Sequence, residues 1–269
     1  MNIKSNANQR QDYKGLFFIV LSLSLLSCGQ QTVESLVIAG ASNMQFALGE
    51  LIDSFGNQEH ISCKLVNGSS GKLTAQIMEG APYDVFLSAD MKYPESLYTK
   101  NLASKPNIFA EGKLVLWTNY PNVNLNLQAI SKDKTKMLAL ANPELAPYGL
   151  ATKDYLKEKN LYHKLQNQLV FGENISQTSQ FILSKSVYAG FTAKSVVLAS
   201  GIKDKGAWED IHCKSCLPIY QGAVILKNDR NKSREAEKFI RFLLGEKGQK
   251  ILNKYGYSTT FDANSKKQN

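Results

Sequence analysis

The sequence predicts an α/β protein made of two separate sets of strands and helices. Three observations carry that expectation. Apolar runs of strand length alternate with segments whose apolar residues recur at helical spacing. Gly, Ser and Pro turns mark the strand exits. The first and second halves each read as a separate set, with no tandem repeat or low-complexity block interrupting them. The 269 residues suffice for one large core or two modest ones, and 43% hydrophobic with 20% charged residues places the chain among ordinary globular proteins.

Taken in order, "SLVIAGA" (Ser35 to Ala41) is an apolar run ending in small residues, as in a buried strand. Met44, Ala47, Leu48, Leu51, Ile52 and Phe55 then share one helical face. "ISCKLVNGSSG" alternates and breaks into a Gly/Ser turn, a strand and its exit. "KLTAQIMEG" is a short helix closed by Gly80, "YDVFLSAD" a strand, and "KYPESLYTKNLA" a helix. The second set begins with a strand in "KLVLWTN" (Lys113 to Asn119). "MLALANPELAPYG" is a strand and a Pro-rich turn, and "LATKDYLKEKNLYHKL" a helix. "LVFGENISQTSQFILSKS" and "YAGFTAKSVVLAS" each repeat strand, turn and helix. "PIYQGAVILK" is a last strand. The final helical segment carries Ala236, Phe239, Ile240, Leu243, Leu244, Ile251 and Leu252 on one face.

The first 27 residues read as an export signal. Lys4, Arg10 and Lys14 precede an apolar run from Leu16 to Leu26 that is too short to span a bilayer comfortably. Ser27 and Cys28 follow at once, as at the cleavage site of a bacterial lipoprotein, with lipid on the Cys28 thiol and residues 28–32 as a tether. Leu26 is larger than the small residue often found there, and an ordinary secretory signal with an incidental cysteine is the alternative. Cleavage removes three basic residues and one acidic one, so the formal charge of +9 becomes +7. That excess is scattered among mixed-sign segments such as "KDKTK" and "KDYLKEK", a pattern of solvated faces. No stripe of arginines and aromatics is present to stack nucleic acid. "HCKSC" (His212 to Cys216) has metal-like spacing, yet a zinc site needs about four ligands and no second pair exists. In an exported protein a Cys213–Cys216 bridge and two plain loop thiols both remain open.

Two neutral turns, "AGASNMQ" and "NGSSGKL", place serines ahead of helices. Ser42 and Ser70 fit helix caps, and Ser42 with Gln45 resembles a capping box. They equally fit an anion site, because unpaired N–H groups and the positive end of a helix attract negative charge and glycines let backbone approach closely. A cage of neutral, fixed donors rejects a protonated oxygen, which would bring a donor where only donors wait. It therefore selects a fully deprotonated dianion.

The segments "AGASNMQFALGELIDSF", "NGSSGKLTAQIMEGAPYDVFLSAD", "LALANPELAPYGLATKDYLK", "AGFTAKSVV" and "YQGAVILK…AEKFIRFLLGEKGQKILNKYGY" together resemble the molybdate-binding proteins of ABC import systems, from about Leu36 to Tyr257. The resemblance implies the two-lobe, type II periplasmic-binding-protein fold, each lobe a mostly parallel sheet flanked by helices, with the ligand in the cleft between lobes. It places lobe one at residues 33–114 plus 223–265 and lobe two at 115–222, with crossings near Lys113–Asn119 and Ile219–Val224. It implies oxyanion donors at the hydroxyls of Ser42 and Ser70, with Ser69 beside it, and at backbone N–H groups of Tyr148 and Ile175, with Asn174 adjacent. A tyrosine donor of the family aligns with Ala193, so either Thr192, Tyr188 or a backbone N–H substitutes or the cage is one bond short.

The function implied is a monomeric, lipid-anchored receptor outside the cell membrane. It would capture molybdate, and tungstate with it, without a cofactor or directly bound metal cation, and deliver the anion to an ABC permease and its ATPase. A receptor for another tetrahedral oxyanion, an enzyme acting on a phosphorylated compound, and a sensing or adhesive surface lipoprotein are the alternatives. Against the enzyme, His60, His163 and His212 lie in polar surroundings without a nucleophile motif. Asp84 and Asp90 flank a strand and could act as a carboxylate pair, yet read as structural, capping turns beside the cleft.

Overall fold

The computed structural model describes residues 35–259. Cys28, the leader and the tether lie outside them. The first sheet is built from β1 (Leu36–Ala41), β2 (Cys63–Gly68), β3 (Val85–Ser88) and β4 (Asn107–Gly112), joined by β10 (Ile219–Ile225) from late in the chain, in the order β2-β1-β3-β10-β4. The second sheet takes β5 (Leu114–Thr118), β6 (Leu138–Ala141), β7 (Leu169–Gly172), β8 (Ala189–Ala193) and β9 (Ala207–Asp210) in the order β7-β6-β8-β5-β9. In both, three parallel strands are followed by two antiparallel pairings. The sheets are therefore mixed rather than mostly parallel. The antiparallel members β10 and β5 are the strands that follow a crossing, and they enter their sheets from the opposite direction.

Helices fill the connections. In the first set these are α1 (Gln45–Glu59), entered through a 3-10 turn at Ser42–Met44, then α2 (Ser70–Met78) and α3 (Lys92–Thr99). In the second they are α4 (Leu127–Lys132), α5 (Pro147–Glu158), α6 (Tyr162–Leu165), α7 (Ile175–Leu183) and α8 (Lys194–Val197). The chain ends in α9 (Ser233–Leu244) and α10 (Glu246–Lys254), where sequence periodicity suggested one helix. Gly245 is extended and breaks it. Ala236, Phe239, Ile240, Leu243, Ile251 and Leu252 are buried as expected, whereas Leu244 is exposed. Strands β4 and β9 escaped the sequence reading. Both lie at sheet edges, and Ile108 in β4 and the Glu209–Asp210 end of β9 face solvent.

The chain crosses between sheets at Lys113, the single residue separating β4 from β5. It returns through residues 211–218. That is just ahead of the expected 219–224, because Ile219, Tyr220, Gln221 and Gly222 already pair with β4. A lobe boundary at residue 222 would thus cut a strand of the first sheet. In the return segment Cys213 and Cys216 form a disulfide. Glu158 at the end of α5 accepts hydrogen bonds there from the Ser215 N–H (2.9 Å) and hydroxyl (2.6 Å). With these donors and the Lys159 ammonium beside it, its carboxyl is held down at about 2.

At the opposite end of the first sheet, Asp84 is 2% exposed and accepts from the Val37 N–H (2.7 Å) and Arg230 Nε (3.0 Å). Arg230 also donates to the Ser35 carbonyl (2.9 Å). This pair ties β1, the entry to β3 and the segment after β10. Removing one member of a buried pair strands the other. Asp84→Ala should lower stability by about 3 kcal/mol, the low end of that range because Arg230 keeps some water contact, read as a fall in the urea midpoint.

Candidate functional site

The carboxyl ends of the parallel strands face one another across the two sheets, and each runs into the start of a helix. In an open α/β sheet this is where ligands bind. A small pocket of about 10 Å³ lies there. The first sheet contributes Ala41, Ser42 and Asn43 after β1, Gly68, Ser69 and Ser70 after β2, and Ala89 after β3. The second contributes Ala146, Pro147 and Tyr148 after β6 and Ile175 after β7. No lysine, arginine, aspartate, glutamate or histidine is among these lining residues.

Of the serines, the one that caps a helix is Ser69, whose Oγ accepts from the Lys72 N–H (3.4 Å). Ser70 occupies the first turn of α2 and is 1% exposed. Its Oγ accepts from the Ala89 N–H at 3.0 Å, so its own proton is left to donate. Ser42, 3% exposed, opens the 3-10 turn without capping it, and its hydroxyl has no hydrogen bond among the described residues. The expected capping box with Gln45 does not form. Gln45 Oε1 accepts instead from Ser176 Oγ of the second set, at 2.6 Å.

Tyr148 and Ile175 lie in the first turns of α5 and α7, where backbone N–H groups have no intrahelical partner. Pro147 suits the first position of α5 because that position needs no N–H. Asn174 does not aim its side chain at the cavity, since its Oδ1 caps α7 by accepting from the Gln177 N–H (3.0 Å). Thr192 is no replacement donor either. Its hydroxyl is paired with Ser179 Oγ at 2.8 Å, and neither it nor Tyr188 nor Ala193 lines the cavity. Asn43, which the sequence reading passed over, does line it. The one local signal was its place directly after Ser42 at a helix start.

Asn43 also anchors the cavity from behind. Its Nδ2 donates to Gln221 Oε1 (2.9 Å) and to Tyr257 OH (3.0 Å), and its carbonyl accepts from Ser195 Oγ of α8 (2.6 Å). The Tyr148 ring reaches toward the crossing: a Cβ on Gly112 would fall 2.0 Å from its hydroxyl, so that position requires glycine. That hydroxyl has no partner among the described residues. The nearby Asn43 amide already uses both of its protons. Burial raises the phenols of Tyr148 and Tyr257 well above their ordinary range, so both stay protonated.

The two sets meet around the cavity. Gly71 N–H donates to the Leu145 carbonyl (2.9 Å), Tyr93 OH to the Glu144 carbonyl (3.4 Å), and Lys72 pairs with Glu173 (2.9 Å) at the exposed rim. The histidines stand elsewhere. Asp84 lies before β3 and Asp90 beyond its other end, where Asp90 accepts from Ser88 Oγ (3.1 Å) and the Tyr93 N–H (3.3 Å). They are no carboxylate pair, and only Asp90 is at the cavity end of the strand.

Residues 36–258 match the family described as bacterial extracellular solute-binding protein. The chain belongs to that family. Among its relatives, the molybdate-binding protein ModA of Azotobacter vinelandii is 31% identical over 242 residues, 89% of this chain and 95% of that protein. The ModA of Rhodobacter capsulatus is 34% identical over 197 residues, 71% of this chain and 75% of its own length. The solved A. vinelandii periplasmic molybdate-binding protein superposes with a TM-score of 0.78 at 33% identity, covering 83% of this chain and 98% of that one.

In this solute-binding protein the contact at Gly71 exists only with the two sets together. A Cβ there would fall 2.7 Å from Tyr93 OH and 3.0 Å from the Leu145 carbonyl. Gly71→Ala should leave the unfolding midpoint nearly unchanged and weaken capture of the solute about tenfold, equivalent to about 1.4 kcal/mol, measured by calorimetric titration.

Proposed function

We propose that the chain is the substrate-binding receptor of an ABC importer for molybdate, taking tungstate as well, and that it passes the anion to a membrane permease driven by its ATPase. The observation that carries this reading is a small pocket lined by hydroxyls and helix starts with no charged side chain. Ser42 and Ser70 each have a proton to give, and Asn43, Tyr148 and Ile175 stand where helix N–H groups are unpaired. The positive ends of α2, α5 and α7 add to the field. Hydrogen bonds to a charged acceptor contribute about 1.5–3 kcal/mol each, and a nanomolar ligand needs about 12 kcal/mol. Four to eight such bonds supply that amount before the cost of ordering is subtracted. Relatives named for molybdate binding support the choice of anion. Export with a lipid on Cys28 completes the proposal: a receptor held outside the membrane that houses its permease. The reading is of a carrier, not a catalyst, because no nucleophile with an adjacent base lines the cavity.

Calorimetric titration with molybdate, tungstate, sulfate and phosphate tests it. Molybdate and tungstate should bind with similar affinity, sulfate far more weakly because it is smaller, and phosphate weakly because at neutral pH it retains a proton that meets only donors. Sulfate binding as tight as molybdate would assign the cavity to a different oxyanion. Ser42→Ala and Ser70→Ala should each weaken molybdate binding by about 1–3 kcal/mol, and unchanged affinity in both would make these hydroxyls bystanders. With no carboxylate, imidazole or amine in the lining and the Tyr148 phenol kept protonated by burial, affinity should follow the protonation of the anion itself as pH falls, and stay level across neutral pH.

A further inference from the structure

The return crossing holds chemistry that the anion cavity does not use. Cys213 and Cys216 are bridged, with Cα atoms 5.4 Å apart. One ligand atom from each of Glu158, Cys213 and Cys216 lies within 4.8 Å of the other two. Both cysteines border a second cavity of about 400 Å³, lined by the two crossing segments. In the sequence the Cys-x-x-Cys pair lacked further ligands. The fold supplies one from 55 positions away.

We propose that reduction of this disulfide creates a site for a thiophilic divalent cation such as Zn²⁺, held by the two cysteine sulfurs and a Glu158 carboxylate oxygen. A dithiol reductant performs the opening step. It gives two electrons and two protons to the Cys213–Cys216 bond and becomes a disulfide itself, leaving two protein thiols. The cation then displaces both thiol protons to solvent as two metal–sulfur bonds form.

Three features favour the assignment. Bonds of about 2.3 Å to sulfur and about 2.1 Å to oxygen draw ligand atoms somewhat closer than 4.8 Å, a change within side-chain rotation once the sulfurs part. The carboxylate is oriented beforehand by both Ser215 donors and by Lys159 Nζ (2.9 Å), the outer-shell support that metal sites need. Two thiolates select soft cations over Mg²⁺ or Ca²⁺. A fourth position stays open toward the second cavity for water. The oxidised bridge offers no thiolate, so the site is gated by redox state. The ion would fasten the return crossing to α5, whose first turn lines the anion cavity.

The test uses the full chain with Cys28→Ser and Cys63→Ser, so that no other thiol contributes. It is reduced with a phosphine, which is then removed under anaerobic conditions, and titrated with Co²⁺ as a spectroscopic stand-in. The expected result is one equivalent bound with a thiolate-to-cobalt charge-transfer band, erased by Zn²⁺. The oxidised protein and Cys216→Ser should show no such two-thiolate spectrum, and Glu158→Gln should weaken Co²⁺ at least tenfold. A reduced protein without the band, while still binding its oxyanion and hence folded, would overturn the proposal. So would a Glu158→Gln variant of equal affinity.

Discussion

Backbone N–H groups in the first turn of a helix have no partner within it, and this protein gathers several such turns around one small pocket. A buried donor without an acceptor costs about 1–3 kcal/mol. Donors gathered there are best satisfied by a group that accepts from several sides. That requirement explains the absence of charged side chains better than any preference for neutrality. A lysine would satisfy an anion cheaply and without regard to its shape, whereas fixed neutral donors respond to geometry and protonation together.

The same requirement governs closure. Among the described residues, the polar contacts that join the two sets at the pocket mouth are three hydrogen bonds through Gly71, Ser176 and Tyr93, and one exposed ion pair at Lys72. Exposed pairs contribute at most about 1 kcal/mol. Under the proposed function, an anion in the pocket would touch both halves at once and add to these contacts. Behind the cavity Asn43, Gln221, Tyr257 and Ser195 form a buried network joining a cavity turn, a crossing strand, the chain's end and the second set. That network holds Asn43 in place from behind the pocket.

Glu158 stands at the far end of α5 from Tyr148. One helix thus touches both the anion cavity and the disulfide-bearing return segment. The fold thereby gives the crossing a fixed purchase on the second set, and it places the only strongly depressed carboxyl among the described residues at a loop rather than at the cavity.

Much of this was legible in the chain itself. Apolar periodicity located β1, α1, β2, β3, β6 and β7, and the Ser/Gly turns marked the cavity, because strand exits and helix starts are written in neighbouring residues. Whether a serine caps a helix or faces a ligand was not legible, since Ser42, Ser69 and Ser70 offer the same hydroxyl. Their roles parted only when Ala89 donated to Ser70 and Ser176 claimed Gln45. Edge strands β4 and β9 were lost because half-exposed edges need no apolar alternation. The lobe boundary, the Asp84–Arg230 pair, the reach of Tyr148 to Gly112 and the meeting of Glu158 with Cys213 and Cys216 depend on residues tens to more than a hundred positions apart. Local pattern determined the elements and the neutral turns at their ends. Tertiary packing alone decided which of those turns share one cavity, because partners distant in sequence carry no mark of one another until the sheets bring them together.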